Sequence, residues 1–433
     1  MVEAAIAARR ISPKVRLRRS IFLLPRKNLD VTKTHSTLPP LQPIGVRGWS
    51  SQGDDATPLA DMTKAAMFNN AFNGKKVLVT GHTGFKGTWL TLWLQQMGAE
   101  VVGISDTIPT TPAHYSAAGL EDSVKTHWLD VRDEEAIPAT IADEAPDFVF
   151  HMAAQALVKA SYDDPVGTYT TNMVGSANVL EGLRRLENQC TAIMITSDKC
   201  YENVETYYGY REEDRLGGAD PYSASKAAAE IVISSHTRSF FDQPDDERNV
   251  RIGVVRAGNV VGGGDWAADR LVPDVARSWS VGENVTIRRP QATRPWQHVL
   301  EPLSGYLHLG AELAKRPDLH NEAFNFGPPA EAVNPVRDVV LALKQYLPGL
   351  DLTIDESQAH FHEAGLLKLT CDKALSYLQW TPVLDFDETM KISAEWYHSF
   401  YKDGAEGIRA ITDGQLDYYT SLAAARGLIW ADG

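Results

Sequence analysis

Cysteine is scarce. Cys190, Cys200 and Cys371 are the three in 433 residues, and their spacing suits neither a metal site nor a disulfide framework, which fits a reducing compartment. No apolar run approaches the ~20 residues a membrane-spanning helix needs. Positive charge is short as well: 42 Lys+Arg stand against 56 Asp+Glu, a net −14 that argues against nucleic acid as partner. The first part of the chain inverts this balance. No acid stands between Glu3 and Asp30, and residues 1–61 hold ten Lys+Arg against five Asp+Glu. That composition has the look of a mitochondrial transit peptide. A disordered leader or an upstream start is the preferred reading, because Met67 stands eight residues before the first strand signal. The expected division is therefore a leader at 1–66, a nucleotide-binding domain at 67–259 and a smaller lobe at 260–433. Hydrophobic content of 43% with 23% charged residues is ordinary for a globular protein.

What is present begins at residue 75 with KKVLVTGHTGFKGTW. Val77, Leu78 and Val79 read as a buried strand, and a helical pattern resumes at 88–96. Between them Gly81, Gly84 and Gly87 punctuate a turn that brings backbone N–H groups up to a phosphate. The spacing is G-x-x-G-x-x-G, a weak signal alone. A second strand at 100–105 ends on Asp106, nineteen residues beyond Gly87, where an acid grips the adenosine ribose. Further strands are expected at 124–129, 147–152, 190–196 and 250–255, with helices at 134–144, 165–187, 222–241 and 272–281. This alternation means right-handed crossovers and a doubly wound parallel α/β sheet of Rossmann type. Ligand chemistry then collects at the strands' carboxyl ends.

Tyr222-Ser-Ala-Ser-Lys226 opens the helix expected at 222–241. Positions i and i+4 share a helix face, so the ammonium sits beside the phenol and favours the phenolate. Such a Tyr takes an alcohol's proton while hydride leaves for a nicotinamide. Ser197 precedes it by twenty-five residues.

These stretches, with Asp130-Val131, His151-Met-Ala-Ala-Gln155 and Asn172, together resemble the extended short-chain dehydrogenase/reductase family over residues 67–430. The resemblance implies NAD as cofactor, held by Gly81, Thr83, Gly84, Phe85, Lys86, Gly87 and Asp106. Asp130 and Val131 would flank the adenine, and Ala153, Ala154 and Gln155, with Asn172, would lie along the nicotinamide. Lys226 would reach the nicotinamide ribose, and Ser197 would assist Tyr222. Asp106 with no Arg immediately after it favours NAD over NADP. Thr196-Ser-Asp-Lys-Cys-Tyr201 adds two consecutive ionisable groups, Asp198 and Lys199, at the fifth strand's end. The pair resembles the CDP-glucose branch of the family's dehydratases, as do Asn259-Val-Val-Gly-Gly-Gly-Asp265-Trp266, Asp269-Arg270 and Arg294-Pro-Trp-Gln-His298.

On that resemblance a sugar loses water: Tyr222 takes the 4-hydroxyl proton, Lys199 the hydrogen on carbon 5, and Asp198 serves the departing 6-hydroxyl. Lys199 would need a neutral amine, depressed by burial among cations. Arg270, Arg288 and Arg294 are the candidates for the substrate diphosphate, joined by Asn259, Asp265 and Trp266. His82, His151 and His298 read as structural, and no cluster suggests a metal. Rival readings are a 4-epimerase or another sugar-nucleotide dehydratase, and a non-catalytic NAD sensor. The resemblance also implies a cytoplasmic homodimer or dimer of dimers, paired through the helices at 165–187 and 222–241, with no nucleic-acid or membrane partner.

Overall fold

The computed structural model describes residues 67–242, 249–287, 289–329, 332, 334–354 and 367–432. The basic leader and Arg288 lie outside these residues. In chain order the main elements are β1 (Lys76–Thr80), α1 (Phe85–Gln96), β2 (Glu100–Ser105), β3 (Lys125–Trp128), α2 (Ala136–Glu144) and β4 (Phe148–His151). They continue with α3 (Gly175–Arg184), β5 (Cys190–Ile195), α4 (Pro221–His236) and β6 (Val250–Ala257). Then follow α5 (Leu271–Ser280), α6 (Leu300–Leu313), β7 (Ala323–Phe326), α7 (Val336–Lys344), α8 (Phe386–Asp403) and α9 (Ile408–Ala425).

The seven strands form one parallel sheet in the order β7-β6-β5-β4-β1-β2-β3. The chain therefore runs outward from β1 to β3, then reverses at β4. The crevice between β1 and β4 is the switch point where such sheets bind ligands. Apolar side chains of β1, β4 and β5 are buried on both faces, as crossover helices on both sides require. Residues beyond 259 supply the edge strand β7, paired to β6 from Ala323 opposite Val254. One apolar cluster runs from Met67 to Ala431 and fills the α6, α8 and α9 side of the sheet.

Two expected helices differ in a way that bears on the site. The stretch expected as one helix over 165–187 is Pro165–Tyr169, a wide π-type turn at Thr170–Val174, then α3. The extra residue of the π turn re-aims the helix locally, and it brings Asn172 inward, where it is buried. Helix α4 likewise passes into a π-type turn at Thr237–Phe241. Pro221 at the first position of α4 and the Asp220 side chain, which accepts from Ser223 N–H, fix where that helix starts.

Candidate active site

The turn after β1 is the first component. Gly81 N–H donates to Ile104 O of β2 at 2.7 Å, so the turn is anchored to the neighbouring strand. A Cβ at Gly87 would lie 2.1 Å from Gly81 O, so only glycine lets α1 come this close to the strand. Helix α1 starts at Phe85 behind Gly84, and no side chain caps it. Its first N–H groups are thus open to an anion, and the residues present fit a dinucleotide diphosphate. Thr83 Oγ1 donates to Thr107 O at 2.7 Å, tying this turn to the exposed Asp106 segment after β2. Lys86 is half-buried here, and burial together with the Arg270 charge lowers its pKa to about 8.

Two further strand ends continue the crevice. Asp130 is gripped by Arg132 Nε at 3.0 and 2.9 Å, which holds its carboxyl below the usual range. Val131 is buried against Gly175, and its carbonyl accepts from Asn178 Nδ2 at 2.9 Å. After β4, Ala153, Ala154 and Gln155 are half-buried. Asn172 fastens that segment: its Oδ1 accepts from Gln155 N–H at 2.9 Å, and its Nδ2 donates to Gln155 O at 3.0 Å and Ser225 Oγ at 2.8 Å. It thereby links the β4 end to the helix bearing Tyr222.

The candidate reacting groups lie on the turn after β5 and on the first turn of α4. Ser197 Oγ donates to Asp198 Oδ1 at 3.0 Å and accepts from Lys199 N–H at 3.2 Å, shaping a short 3-10 turn at Asp198–Cys200. Asp198 is 3% exposed and lies against Gly258, where a Cβ would stand 2.0 Å from its carboxylate. Tyr222 has Ser197 as a neighbour, and the Asp198 and Arg270 charges both act on its phenol. Tyr222, Ser197, Asp198 and Arg270 thus share one site. Lys199 is half-buried, and no described residue hydrogen-bonds its side-chain nitrogen.

One electrostatic expectation is corrected. Tyr222 is 8% exposed, and burial pushes its phenol up to about 12, the neighbouring Ser197 hydroxyl pulling the other way. Lys226, expected to lower it, is itself buried and depressed to about 8. In the protein alone, desolvation outweighs the neighbouring charge.

On the opposite wall, Arg270 faces Tyr222, and its Nη1 donates to Asp265 Oδ2 at 2.9 Å. Asp265 is buried and spends its other oxygen on Ala267 N–H at 3.0 Å, so it positions Arg270 from behind. Asn259 adopts a left-handed φ of 33°, and its carbonyl accepts from Gln297 N–H at 3.3 Å. Trp266, expected at the substrate, is a core residue. Its ring packs on Phe400 at 4.7 Å and its Nε1 donates to Tyr401 OH at 3.0 Å. Arg294 lies on a short strand (Thr293–Arg294) paired with Asn334–Pro335, and its Nη1 donates to Thr293 O at 2.7 Å.

His82 and His151 are occupied in the fold, whereas His298 accepts from Leu300 N–H at Nδ1 and its buried Nε2 has no partner among the described residues. His82 bonds Ser105 and Thr126, and His151 bonds Thr80 and Ser176. Burial holds His82 near 4 and His151 and His298 near 3, all neutral. No metal-type group of His, Cys, Asp or Glu occurs among the described residues, and no helix there is long and apolar enough to cross a membrane. Sequence reasoning missed Glu230 and Arg256, a buried ion pair directly behind these groups. The available signal was spacing, since Glu230 continues the i, i+4 series of Tyr222 and Lys226.

Residues 77–327 match the NAD-dependent epimerase/dehydratase family. A CDP-glucose 4,6-dehydratase of Salmonella typhimurium is 45% identical over 335 residues, 77% of this chain and 93% of that protein. A UDP-glucose 4-epimerase of Mycoplasma pneumoniae is 25% identical over 75% of this chain and 97% of that protein. Among solved structures, UDP-glucose 4-epimerase of Thermotoga maritima with UDP-glucose superposes with a TM-score of 0.64 at 22% identity. The match covers 76% of this chain and all of that one. The dTDP-glucose 4,6-dehydratase of Bacillus anthracis, in complex with NAD, gives 0.61 at 18% identity over 75% of this chain and 97% of that one. At these identities the structural matches speak for the fold.

Proposed function

The chain belongs to the NAD-dependent epimerase/dehydratase family, and from that membership we propose that it converts CDP-glucose to CDP-4-dehydro-6-deoxyglucose by loss of water. The observation that carries this reading is the 45% identity to the Salmonella dehydratase over nearly all of that protein. The buried Asp198 beside Ser197 and Tyr222 supports it, because an epimerase has no departing hydroxyl for such an acid to serve.

NAD, when bound, supplies the acceptor that takes hydride from sugar carbon 4 and hands it back at carbon 6. The open N-terminus of α1 would hold its diphosphate, Asp106 its adenosine ribose, and Lys226 its nicotinamide ribose. Tyr222 removes the proton of the 4-hydroxyl, with Ser197 steadying the phenolate. The 4-ketone makes the hydrogen on carbon 5 acidic, and Lys199 takes it as a proton. Asp198 gives a proton to the 6-hydroxyl, which leaves as water. Lys199 then returns a proton to carbon 5, and the 4-hydroxyl proton held by Tyr222 passes by way of the Ser197 hydroxyl to Asp198, so both side chains are reset and the net change is the loss of one water. Arg270 and Arg294 would bind the substrate diphosphate with Asn259 as a further donor, and Arg288, which lies outside the described residues, is the third candidate cation. Exposed Val166 and Ile231 on the helices bordering the site give a homodimer an apolar surface to cover.

Incubating CDP-, dTDP- and GDP-glucose side by side in deuterated water tests this. CDP-glucose should lose water, gain deuterium at carbon 5 and leave no free reduced cofactor. Preference for another nucleotide, or a 4-epimer with water retained, would overturn it.

A further inference from the structure

Behind the reacting groups lies an ion pair that no step above uses. Glu230 and Arg256 are each 4% exposed and meet as a two-pronged fork, Nε to Oε1 and Nη2 to Oε2, both at 2.8 Å. Glu230 sits two turns along α4 from Tyr222 and one turn from Lys226, on the same face. Its Oε1 also accepts from Thr196 Oγ1 at 2.5 Å, one residue before Ser197. Arg256 stands in β6 two residues before Gly258, the residue against which Asp198 is pressed. Its Nη1 donates to Tyr201 OH at 2.7 Å and Glu212 O at 2.9 Å, and its guanidinium covers the Tyr201 ring at 4.9 Å. Tyr201 is two residues past Lys199 and is pinned on its far side to Asn325 Oδ1 at 2.8 Å.

Resting on the dehydratase reading, we propose that Glu230 and Arg256 are a positioning pair, which locks the helix carrying Tyr222 and Lys226 to the strand ends carrying Ser197, Asp198 and Lys199. Stability alone does not account for the pair. A buried ion pair is about as stable as an apolar replacement of equal volume, because desolvation offsets the attraction. What the charges add is direction: the planar fork has one good orientation, and it touches both α4 and the segment after β5, which bear the reacting groups. Three side chains must act on one sugar in sequence, so a common reference fixed by short hydrogen bonds meets the geometric demand.

Glu230 also has an electrostatic consequence that a mere packing role lacks. Lys226 is surrounded by Tyr222 and Glu230 from its own helix, Cys200 from the turn after β5, His151 from β4 and Lys86 from α1, with Arg256 behind Glu230. Burial lowers Lys226, and Glu230 is the leading group that opposes the fall. Without the carboxylate, Lys226 gives up its proton at lower pH.

The test uses the full-length enzyme with NAD and whichever of the three sugar nucleotides the wild type dehydrates, so a wrong nucleotide and a wrong role for the pair are distinguished. Glu230→Gln leaves Arg256 unpaired in the interior, so the double variant Glu230→Gln/Arg256→Met is measured beside it, both charges being removed together. The expected result for the double variant is a fall in kcat of about tenfold or more, a KM within about threefold of wild type and an alkaline limb of kcat/KM moved to lower pH. Arg256→Lys keeps the charge and loses the fork, so kcat should fall while the alkaline limb stays. A folded double variant with kcat within about twofold of wild type and an unmoved alkaline limb would overturn the proposal.

Discussion

On the dehydration reading the phenol of Tyr222 is the base at the 4-hydroxyl. Burial places it at about 12 in the protein alone, so on that reading its work depends on the neighbouring Ser197 hydroxyl and on charge brought by the cofactor. Tyr222→Phe is expected to lower kcat by about 10²–10⁴-fold with NAD affinity little changed; a near-normal rate would end its role. Lys199→Met separates the steps. It should oxidise carbon 4, seen as reduced cofactor in single-turnover absorbance, and stall before water leaves. Wild-type turnover would remove Lys199 from the mechanism. Both residues stood out in the sequence by spacing and strand-end position, and the fold sets Tyr222 beside Ser197 and Lys199 on the turn after β5. Trp266 was not legible as a core residue. Its motif neighbours give no direction to its ring, and the rings that bury it, Trp396 and Phe400, come from α8, 130 and more residues later.

Among elements, the strand at 76–80 and most of the helix after it were readable, since glycine spacing and hydrophobic period are local properties, but α1 begins at Phe85 and takes in Gly87, three residues ahead of the expected helical pattern. Gly87→Ala sets a methyl 2.1 Å from Gly81 O, and one of the two backbones must move. We expect about 1–3 kcal/mol of lost stability and a NAD affinity weakened at least about tenfold, read by thermal melts with and without NAD. An unchanged NAD-induced rise in Tm would show that the turn does not hold the cofactor. The π-type turns at 170–174 and 237–241 could not be foreseen. One added residue barely disturbs an apolar pattern, and the reason for the first turn, the bonds of Asn172 to Gln155 and Ser225, is tertiary.

For the molecule as a whole, the doubly wound sheet followed from the alternation of patterns, whereas the return of β7 to the sheet edge rested on pairing with β6 across some 70 residues, beyond any local signal. Long-range burial also sets a pH dependence. Glu301 accepts from Val383 N–H, Leu384 N–H and Tyr419 OH inside the α6–α8–α9 core, and burial raises it from 4.5 to about 7. Folding raises this carboxyl's pKa, so its contribution is intact below about pH 4.5 and is lost as pH climbs through 7, where the unfolded chain has already released the proton. The gap is worth roughly 3 kcal/mol. Glu301→Gln should flatten the decline in Tm across that window, and parallel curves for the two proteins would refute it.

Phe68 N–H donates to Trp430 O at 2.7 Å, and their rings stack 5.1 Å apart. The residues just ahead of β1 therefore meet the last turn after α9. A fold whose first and last described segments touch tolerates being reopened elsewhere. Joining residues 67 and 432 by a short linker and cutting at the exposed Gly404, between α8 and α9, gives a circular permutant that keeps every strand pairing and every group of the crevice. Such a rewired chain would present its new termini far along the sequence from the glycine turn, free for a tag or fusion partner.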